Sequence, residues 1–319
     1  MKNTEQVIPE IPSDCKPLVF TDMDGTLLDH HNYSYEPAEA LLFKLEEAGI
    51  PVILSSSKTK AEILPWRKTL KNRHPFVTEN GAAVYLPSGY FSETTSLSGG
   101  KQAPDLSKTD DGFICASFSR PRKYWQELLN DVETAYSGLF CSFSGMGTEG
   151  IMASTGLDRE QAEQANRRQF SEPVLWLGEH TEKAHFIKTL LQKGANVLEG
   201  GRFMHIGGAH NKGLALEWLA SAYQKEKQEA VFTIALGDGK NDIAMLESAD
   251  IAVVIRSPVN PRPVPQKKAV IFTEQYGPQA WKETVSALLS SRLAGKAENL
   301  QPTGNFINTK RPNHGNNHG

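Results

Sequence analysis

Two aspartates separated by a single residue stand near the start of the chain, directly after an apolar run. They are Asp22 and Asp24, and Gly25 and Thr26 follow them. The apolar run 18–20 predicts a buried strand, and an extended backbone points alternate side chains in the same direction. Two neighbouring carboxylates repel each other unless a cation or a shared proton lies between them. The pair therefore predicts an acid-and-metal site at the carboxyl end of a strand, where open α/β sheets bind ligands.

A calcium loop and a solvated turn are the alternatives for this segment. An EF-hand loop that began at Asp22 would need an acidic or amide residue at its fifth position and a glutamate at its twelfth. Those positions hold Thr26 and Tyr33, so the EF-hand is excluded. A solvated turn stays open when the segment is considered alone.

Three further polar groups follow predicted core strands or begin predicted core helices. They are the serines at 55–57, Lys212, and the segment 237–242, which contains Asp238, Asn241 and Asp242. Each alone is ordinary: a serine-rich loop, a surface lysine, a turn. The carboxyl ends of parallel strands lie along one edge of a sheet, so all three groups are expected to meet the aspartate pair.

Together these residues have the chemistry of phosphoryl transfer. A carboxylate such as Asp22 can act as a nucleophile and form an aspartyl phosphate. The Lys212 ammonium and the Ser56 hydroxyl would neutralise and bind the phosphoryl oxygens. Asp22, Asp24 and Asp238 offer the oxygen ligands that Mg²⁺ prefers. The chain has no Walker-type motif, so a nucleotide P-loop is not predicted.

The elements that position these residues predict an α/β fold with an inserted domain. Strands and helices alternate over 16–88 and again over 200–291, which is typical of a doubly wound parallel sheet. Between them, 89–199 mixes strands and helices and predicts an inserted α+β cap domain. Within that insertion, 139–155 predicts one or two strands.

Composition limits the partners of the chain. Its 319 residues are 39% hydrophobic and carry a net charge of −3, so neither a nucleic acid nor a membrane is expected as a partner. Three cysteines without a short spacing favour a reducing, cytoplasmic location, and we expect no secretory leader or membrane span. The polar ends 1–15 and 292–319 predict flexible tails. The sequence indicates no oligomeric state.

At these motifs the chain resembles the haloacid dehalogenase superfamily of phosphotransferases. The segment 22–26 matches the first motif of the superfamily, Ser56 the hydroxyl motif, Lys212 the lysine motif and 237–242 the fourth motif. The resemblance covers both stretches of predicted core. It implies a Rossmann-like core with a cap inserted between the second and third motifs, as in the Cof-like subclass.

The resemblance also implies a mechanism and a cofactor. Asp22 would attack the phosphorus, and Asp24 would protonate the leaving oxygen and then activate water. Mg²⁺ would be held by the Asp22 carboxylate, the Asp24 backbone carbonyl and Asp238. Asn241 or Asp242 would orient a metal-bound water.

A closer resemblance is to the mannosyl-3-phosphoglycerate phosphatases. It rests on four segments: 56–62, 79–82, 170–173 and 200–206. This group shares Lys58, where other capped members commonly have arginine. The resemblance implies hydrolysis of 2-O-(α-mannosyl)-3-phosphoglycerate to mannosylglycerate, a compatible solute, and phosphate.

A phosphorylated sugar-glycerate substrate needs donors for a carboxylate and partners for sugar hydroxyls. The candidate substrate-binding residues are Lys58, Glu79, Asn80, Glu172, Arg202 and His205. Arg167 and Arg168 are further possible donors, although a solvated helix face is the favoured interpretation for both.

Other functions stay open. Another sugar phosphate, such as glucosyl-3-phosphoglycerate or sucrose phosphate, would need the same core chemistry, and so would a phosphomutase. A non-enzymatic binding module is disfavoured, because no acid of the motifs is missing.

Overall fold

The apolar run that precedes Asp22 forms the central strand of a large sheet. A computed structural model describes residues 10–92, 97, 103–200, 202–267 and 269–294. The strands among these residues are β1 (Lys16–Thr21), β2 (Val52–Ser55), β3 (Phe76–Thr78), β4 (Ala83–Pro87), β5 (Asp105–Lys108), β6 (Phe113–Ser117), β7 (Phe140–Ser142), β8 (Glu172–Trp176), β9 (Asn196–Gly200), β10 (Phe203–Gly207), β11 (Val231–Gly237), β12 (Ile251–Arg256) and β13 (Val270–Tyr276). The helices are α1 (Glu36–Ala48), α2 (Lys60–Thr69), α3 (Arg122–Glu133), α4 (Phe143–Thr155), α5 (Arg159–Asn166), α6 (His180–Gln192), α7 (Lys212–Lys227), α8 (Ile243–Ser248), α9 (Gly277–Leu288) and α10 (Ser290–Ala294).

The larger sheet has the strand order β13-β12-β11-β1-β2-β3-β4-β6-β5. The strands from β13 to β3 pair in parallel, and β4, β6 and β5 extend the sheet with antiparallel pairs. Val19 packs with residues of α1 and α9 on one face, whereas Leu18 and Phe20 pack with α7 and α8 on the other. Because both faces are covered, the buried residues 17–20 of β1 are all apolar, and the buried Thr21 at its end is the polar exception. The predicted doubly wound α/β class is confirmed.

A second, antiparallel sheet has the order β7-β8-β10-β9. Trp125 of α3 and Phe186 of α6 are buried against it, together with Val174 of β8 and Met204 of β10. This sheet with its helices forms a separate apolar core, which agrees with an inserted α+β unit.

The two sheets divide the chain differently from the predicted boundaries. β5 and β6 fall in the predicted insertion but join the larger sheet, because β6 pairs with the edge of β4. β10 falls in the predicted core but lies in the second sheet, where Met204 and Ile206 point into its apolar core. The chain passes between the sheets near Ser119 and Gly208, and the Gly208 amide donates to the Ser119 hydroxyl at 3.3 Å.

Strands predicted over 139–155 are largely replaced by a helix. Only β7 is extended, and α4 begins directly after it. The Ser142 hydroxyl caps α4 by accepting from the Gly145 amide at 3.1 Å. Gly145, Gly147 and Gly150 disfavour a helix on propensity, and α4 is kinked at Gly147, where φ is +60°. The Ser142 cap and the burial of Ile151 stabilise the helical segments on either side of this kink.

Parts of the predicted tails pack onto the larger domain. Ile11 is buried in its apolar core, and Arg292 donates to the backbone carbonyls of Pro12 and Cys15. Residues 10–15 and 292–294 are therefore ordered against the fold instead of forming flexible tails. The rest of the predicted tails, 1–9 and 295–319, lies outside the described residues. In the described part of the chain, no helix combines the length and apolar character required to span a membrane.

Candidate active site

The loop after β1 brings the aspartate pair to the residues that follow β11. The Asp22 amide donates to the carbonyl of Leu236 in β11 at 2.9 Å. Gly25 has φ of +79°, and a Cβ at this position would lie 2.7 Å from Asp238 Oδ2. The Thr26 hydroxyl donates to Asp238 Oδ1 at 3.3 Å. The close approach of Asp238 therefore requires glycine at position 25.

Lys212, the first residue of α7, connects two carboxylates from different strand ends. Its Nζ donates to Asp22 Oδ1 at 2.5 Å and to Asp242 Oδ1 at 2.6 Å, and its side chain is fully buried. The second oxygen of Asp242 accepts from the amides of Asp238 and Gly239 at 3.1 and 2.9 Å. Burial alone would lower the pKa of Lys212, but Asp22 and Asp242 raise it above its ordinary value. The lysine is therefore a permanent cation beside the predicted nucleophile.

The acidic residues around Lys212 outnumber it. One oxygen each of Asp22, Asp238 and Asp242 lie within 4.8 Å of one another. Burial raises the pKa of Asp22 well above its ordinary value, although Lys212 opposes this. Burial and the Asp242 carboxylate also raise the pKa of Asp238. Three buried carboxylates beside one ammonium need another positive charge, and oxygen donors suit Mg²⁺, so the residues present fit this ion.

Asp24 has a different cationic partner from Asp22. Its Oδ2 lies 2.9 Å from Nζ of Lys58, while its Oδ1 is buried without a hydrogen-bond partner among the described residues. The Lys58 amide donates to the Ser56 hydroxyl at 3.2 Å, in the loop after β2. Burial opposes the charge of Lys58, but Asp24 and Glu62 raise its pKa. The structure thus pairs each aspartate of the motif with its own lysine.

A cavity of about 340 Å³ opens above these residues. Its walls include six predicted site residues, namely Asp22, Asp24, Asn80, His205, Asp238 and Asn241. The Asn241 amide group donates to Asn80 Oδ1 at 3.1 Å. Leu198 and Glu199 of β9 form part of the opposite wall. The cavity is therefore bounded by the larger domain on one side and by the second sheet on the other.

His205, which lines the cavity, has a ring nitrogen without a hydrogen-bond partner among the described residues. This nitrogen is Nδ1, and it is buried. Burial, together with Arg168 and His210, lowers the pKa of His205 to about 3. The ring is therefore neutral at ordinary pH and is a hydrogen-bonding group rather than a charge.

Four predicted substrate residues lie outside the cavity walls, namely Lys58, Glu79, Glu172 and Arg202. Glu79 and Glu172 are 2% and 0% exposed, and their carboxylates are occupied by protein donors. Arg202 is exposed, and it donates to the carbonyl of Ser154 at 2.7 Å. Arg168 is buried rather than on a solvated helix face.

Several residues of the cavity were not predicted from the sequence. They are His30, Leu198, Glu199 and Asn260, whereas Ser57, Gly239 and Lys240 of the cavity wall lie in the predicted segments 55–57 and 237–242. Asn260 donates to Asp238 Oδ2 at 3.0 Å. It follows β12, so the rule that ligands gather at strand ends would have found it. Leu198 and Glu199 carry no such signal, because their position depends on how the second sheet sits over the first.

The chain matches a protein-family model described as haloacid dehalogenase-like hydrolase over residues 19–115 and 175–259. The chain belongs to this family. Among curated proteins, it is 32% identical over 290 residues to a glucosyl-3-phosphoglycerate/mannosyl-3-phosphoglycerate phosphatase of Methanococcoides burtonii. That alignment covers 89% of this chain and the whole relative. This member of the haloacid dehalogenase-like hydrolases is therefore a phosphatase.

Solved structures share the fold of this haloacid dehalogenase-like hydrolase at low sequence identity. A phosphatase of the haloalkanoate enzyme superfamily from Bacteroides thetaiotaomicron has a TM-score of 0.58 at 17% identity, covering 91% of this chain and 99% of that chain. The sucrose-phosphatase of Synechocystis, solved with sucrose and phosphate, has a TM-score of 0.54 at 12% identity, covering 86% and 98%.

The stability of this phosphatase should fall as pH is lowered, because His210 is buried uncharged. His210 is 3% exposed, and burial lowers its pKa to about 4, below the unfolded value. Its contribution is complete above about pH 6.5 and is lost as pH falls towards 4. From pH 7 to pH 5 the free energy of unfolding should decrease by about 2 kcal/mol through this group.

Urea unfolding of wild type and His210→Gln at both pH values measures this loss. The variant should show a pH dependence smaller by that amount, and His180→Gln, at an exposed histidine, should keep the wild-type dependence. Equal slopes for wild type and His210→Gln would contradict the assignment.

Proposed function

We propose that this phosphatase hydrolyses a hexosyl-3-phosphoglycerate, with a mannosyl or glucosyl group, through an aspartyl phosphate on Asp22. The observation that carries the chemistry is the 2.5 Å contact of the buried Lys212 ammonium with Asp22, which lines the cavity between the two domains. The curated relative supports the substrate class. The product would be the hexosylglycerate and inorganic phosphate.

In the first step, Asp22 attacks the phosphorus and Asp24 gives a proton to the leaving glycerate oxygen. Lys212 favours the anionic form of Asp22 against the effect of burial on its pKa, and it offsets charge on the transferring group. Ser56 accepts a hydrogen bond from the Lys58 amide, which leaves its own hydroxyl hydrogen to donate to a phosphoryl oxygen. In the second step, Asp24 removes a proton from water, which attacks the aspartyl phosphate and frees Asp22.

Mg²⁺ would be held by the Asp22 carboxylate, the Asp24 carbonyl and Asp238, and when bound it neutralises charge on the phosphoryl oxygens. Both oxygens of Asp242 already accept hydrogen bonds from Lys212 and two amides. Asp242 is therefore placed to orient other groups rather than to act as a direct ligand. Asn241 has the same orienting role at the cavity wall.

The remaining cavity groups suit a sugar-glycerate. Neutral His205 and the amides of Asn80 and Asn241 can exchange hydrogen bonds with hydroxyls. Lys58 lies beside Asp24, where it can meet the glycerate carboxylate close to the leaving oxygen. Glu79, Glu172 and Arg202 have no direct part in this proposal, because each already makes hydrogen bonds with other protein groups.

Asp22→Asn should abolish phosphate release, since an amide cannot act as the nucleophile. We expect a loss of about 10³-fold or more in kcat, measured as inorganic phosphate. Lys212 keeps its contact with Asp242, so the variant should remain folded by circular dichroism. Asp110→Asn, at an exposed aspartate, is the control. Activity of the Asp22 variant near the wild-type level would identify a different nucleophile.

Removal of divalent metal should stop turnover, and added Mg²⁺ should restore it. Mg²⁺ should also raise the melting temperature, because a ligand that binds the folded state stabilises it. In Asp238→Asn this rise should shrink, since one carboxylate ligand is lost. Turnover that persists in chelator, or an equal rise in both proteins, would exclude the proposed metal site.

A substrate panel tests the substrate class. We expect kcat/KM for mannosyl- or glucosyl-3-phosphoglycerate to exceed that for sucrose phosphate and simple hexose phosphates by about tenfold or more, about 1.4 kcal/mol. Equal values would reject the substrate and leave the phosphatase chemistry intact. A requirement for a bisphosphate activator with little phosphate release would indicate a phosphomutase.

A further inference from the structure

The turn after β3 places a buried carboxylate between the two domains. Glu79 has φ of +49°, in the left-handed region, and is 2% exposed. Its Oε1 accepts from the Gln169 amide at 2.8 Å. Its Oε2 accepts from the Phe170 amide at 3.2 Å and from the Ser171 hydroxyl at 2.6 Å. One side chain of the larger domain thus holds three successive residues of the insertion.

The segment 168–171 of the insertion also contacts the loop after β2, which contains Ser56 and Lys58. Arg168 Nε lies 3.4 Å from Glu79 Oε2 and donates to the Ser171 hydroxyl at 3.0 Å. Its Nη2 donates to the carbonyl of Ser57 at 2.9 Å. Ser57 lies between Ser56 and Lys58 in sequence. The Glu79–Arg168 pair therefore connects the insertion to the loop that carries two proposed site residues.

The turn that contains Glu79 also contacts the residues that lead into α7. The His210 ring donates to the backbone carbonyl of Glu79. At Gly81, where φ is +93°, a Cβ would lie 2.1 Å from the carbonyl oxygen of Asn211. Lys212 follows directly. One short turn is thus packed against the segment 168–171 and against the residues that place Lys212.

Ser171 is joined directly to the wall of the cavity. β8 begins at the next residue, Glu172, and pairs with β10 so that Pro173 lies opposite His205. β10 in turn pairs with β9, where His205 lies opposite Leu198. Ser171 is therefore connected through β8 and β10 to His205 and Leu198.

We propose that Glu79 is a positioning residue. It sets the distance between Asp22 and the cavity wall that the second sheet forms with Leu198, Glu199 and His205 (the insertion's wall). It acts through Arg168 and the segment 168–171 and does not touch substrate, because its oxygens are occupied and it does not line the cavity. The inference rests on the proposed function for its substrate. It assigns a role to Glu79 in the segment 79–82 and to Ser171 in the segment 170–173, two residues that the proposed chemistry does not use.

Glu79→Gln tests this role with almost no change in shape. The amide group would face the Phe170 amide and the Arg168 guanidinium with a donor in place of an acceptor. We expect KM for the hexosyl-3-phosphoglycerate to rise about tenfold or more. For p-nitrophenyl phosphate, which has no sugar to contact the insertion's wall, kcat/KM should fall by about threefold or less.

Glu172→Gln is the matched control. Glu172 is also a buried carboxylate bound by an arginine, Arg122, and by the Ser144 amide at 2.8 Å, but these partners all belong to the insertion. We expect a lower melting temperature with KM for the hexosyl substrate within about twofold of wild type. A general loss of stability would change the melting temperature and KM of both variants in the same way. A positioning role of Glu79 raises KM in Glu79→Gln alone.

Ser171→Ala is the milder variant if Glu79→Gln does not fold. It removes one hydroxyl donor to Glu79 and should raise the same KM in the same direction by a smaller factor. Combining it with Arg168→Lys should give less than the product of the two single effects, because both act through one cluster. Unchanged KM in these variants, with a lower melting temperature only, would overturn the proposal.

Failure of the proposed function has a different signature. In that case wild type itself shows no preference for hexosyl-3-phosphoglycerates in the panel. The same comparison is then made with the phosphorylated sugar that wild type turns over best, and a rise of its KM in Glu79→Gln still supports the positioning role.

Discussion

The contact of one buried ammonium with two carboxylates is the interaction on which the site depends. Lys212 lies between Asp22 and Asp242. Burying an unpaired charge is costly, so these groups can occupy the sheet edge only together. The three residues come from a strand end, a helix start and the turn after β11, which must therefore meet at one point. The order of β11, β1 and β2 in the sheet satisfies this requirement.

Lys58, the second lysine of the site, gives Asp24 a different environment from that of Asp22. Asp22 faces Lys212 in the interior, whereas Asp24 faces Lys58 at the partly exposed entrance. A nucleophile needs its negative charge maintained, and a proton carrier needs access to the leaving group and to water. The spacing of two residues in an extended chain permits both, because each side chain finds a different cation.

The sequence predicted the α/β fold and the residues that gather at the strand ends, since each follows a recognisable apolar run. It could not predict the partners of Glu79 and Glu172. Their carboxylates are held by residues about 90 and 50 positions away, such as Gln169 and Arg122, and a local pattern carries no information about such neighbours. The helix α4 was missed because its glycines disfavour helix. The assignment of β5 and β6 to the larger sheet was missed because pairing along the edge of β4 decides it.

The two crossings of the chain between the domains have a mechanical consequence. Ser119 and Gly208 lie side by side and are joined by a hydrogen bond. Two adjacent crossings restrict translation of one domain relative to the other but permit a hinge rotation about the line through them. In rotation, displacement grows with distance from the axis. A small angular change at the crossings would therefore displace the far edge of the second sheet more than the contacts nearest the axis.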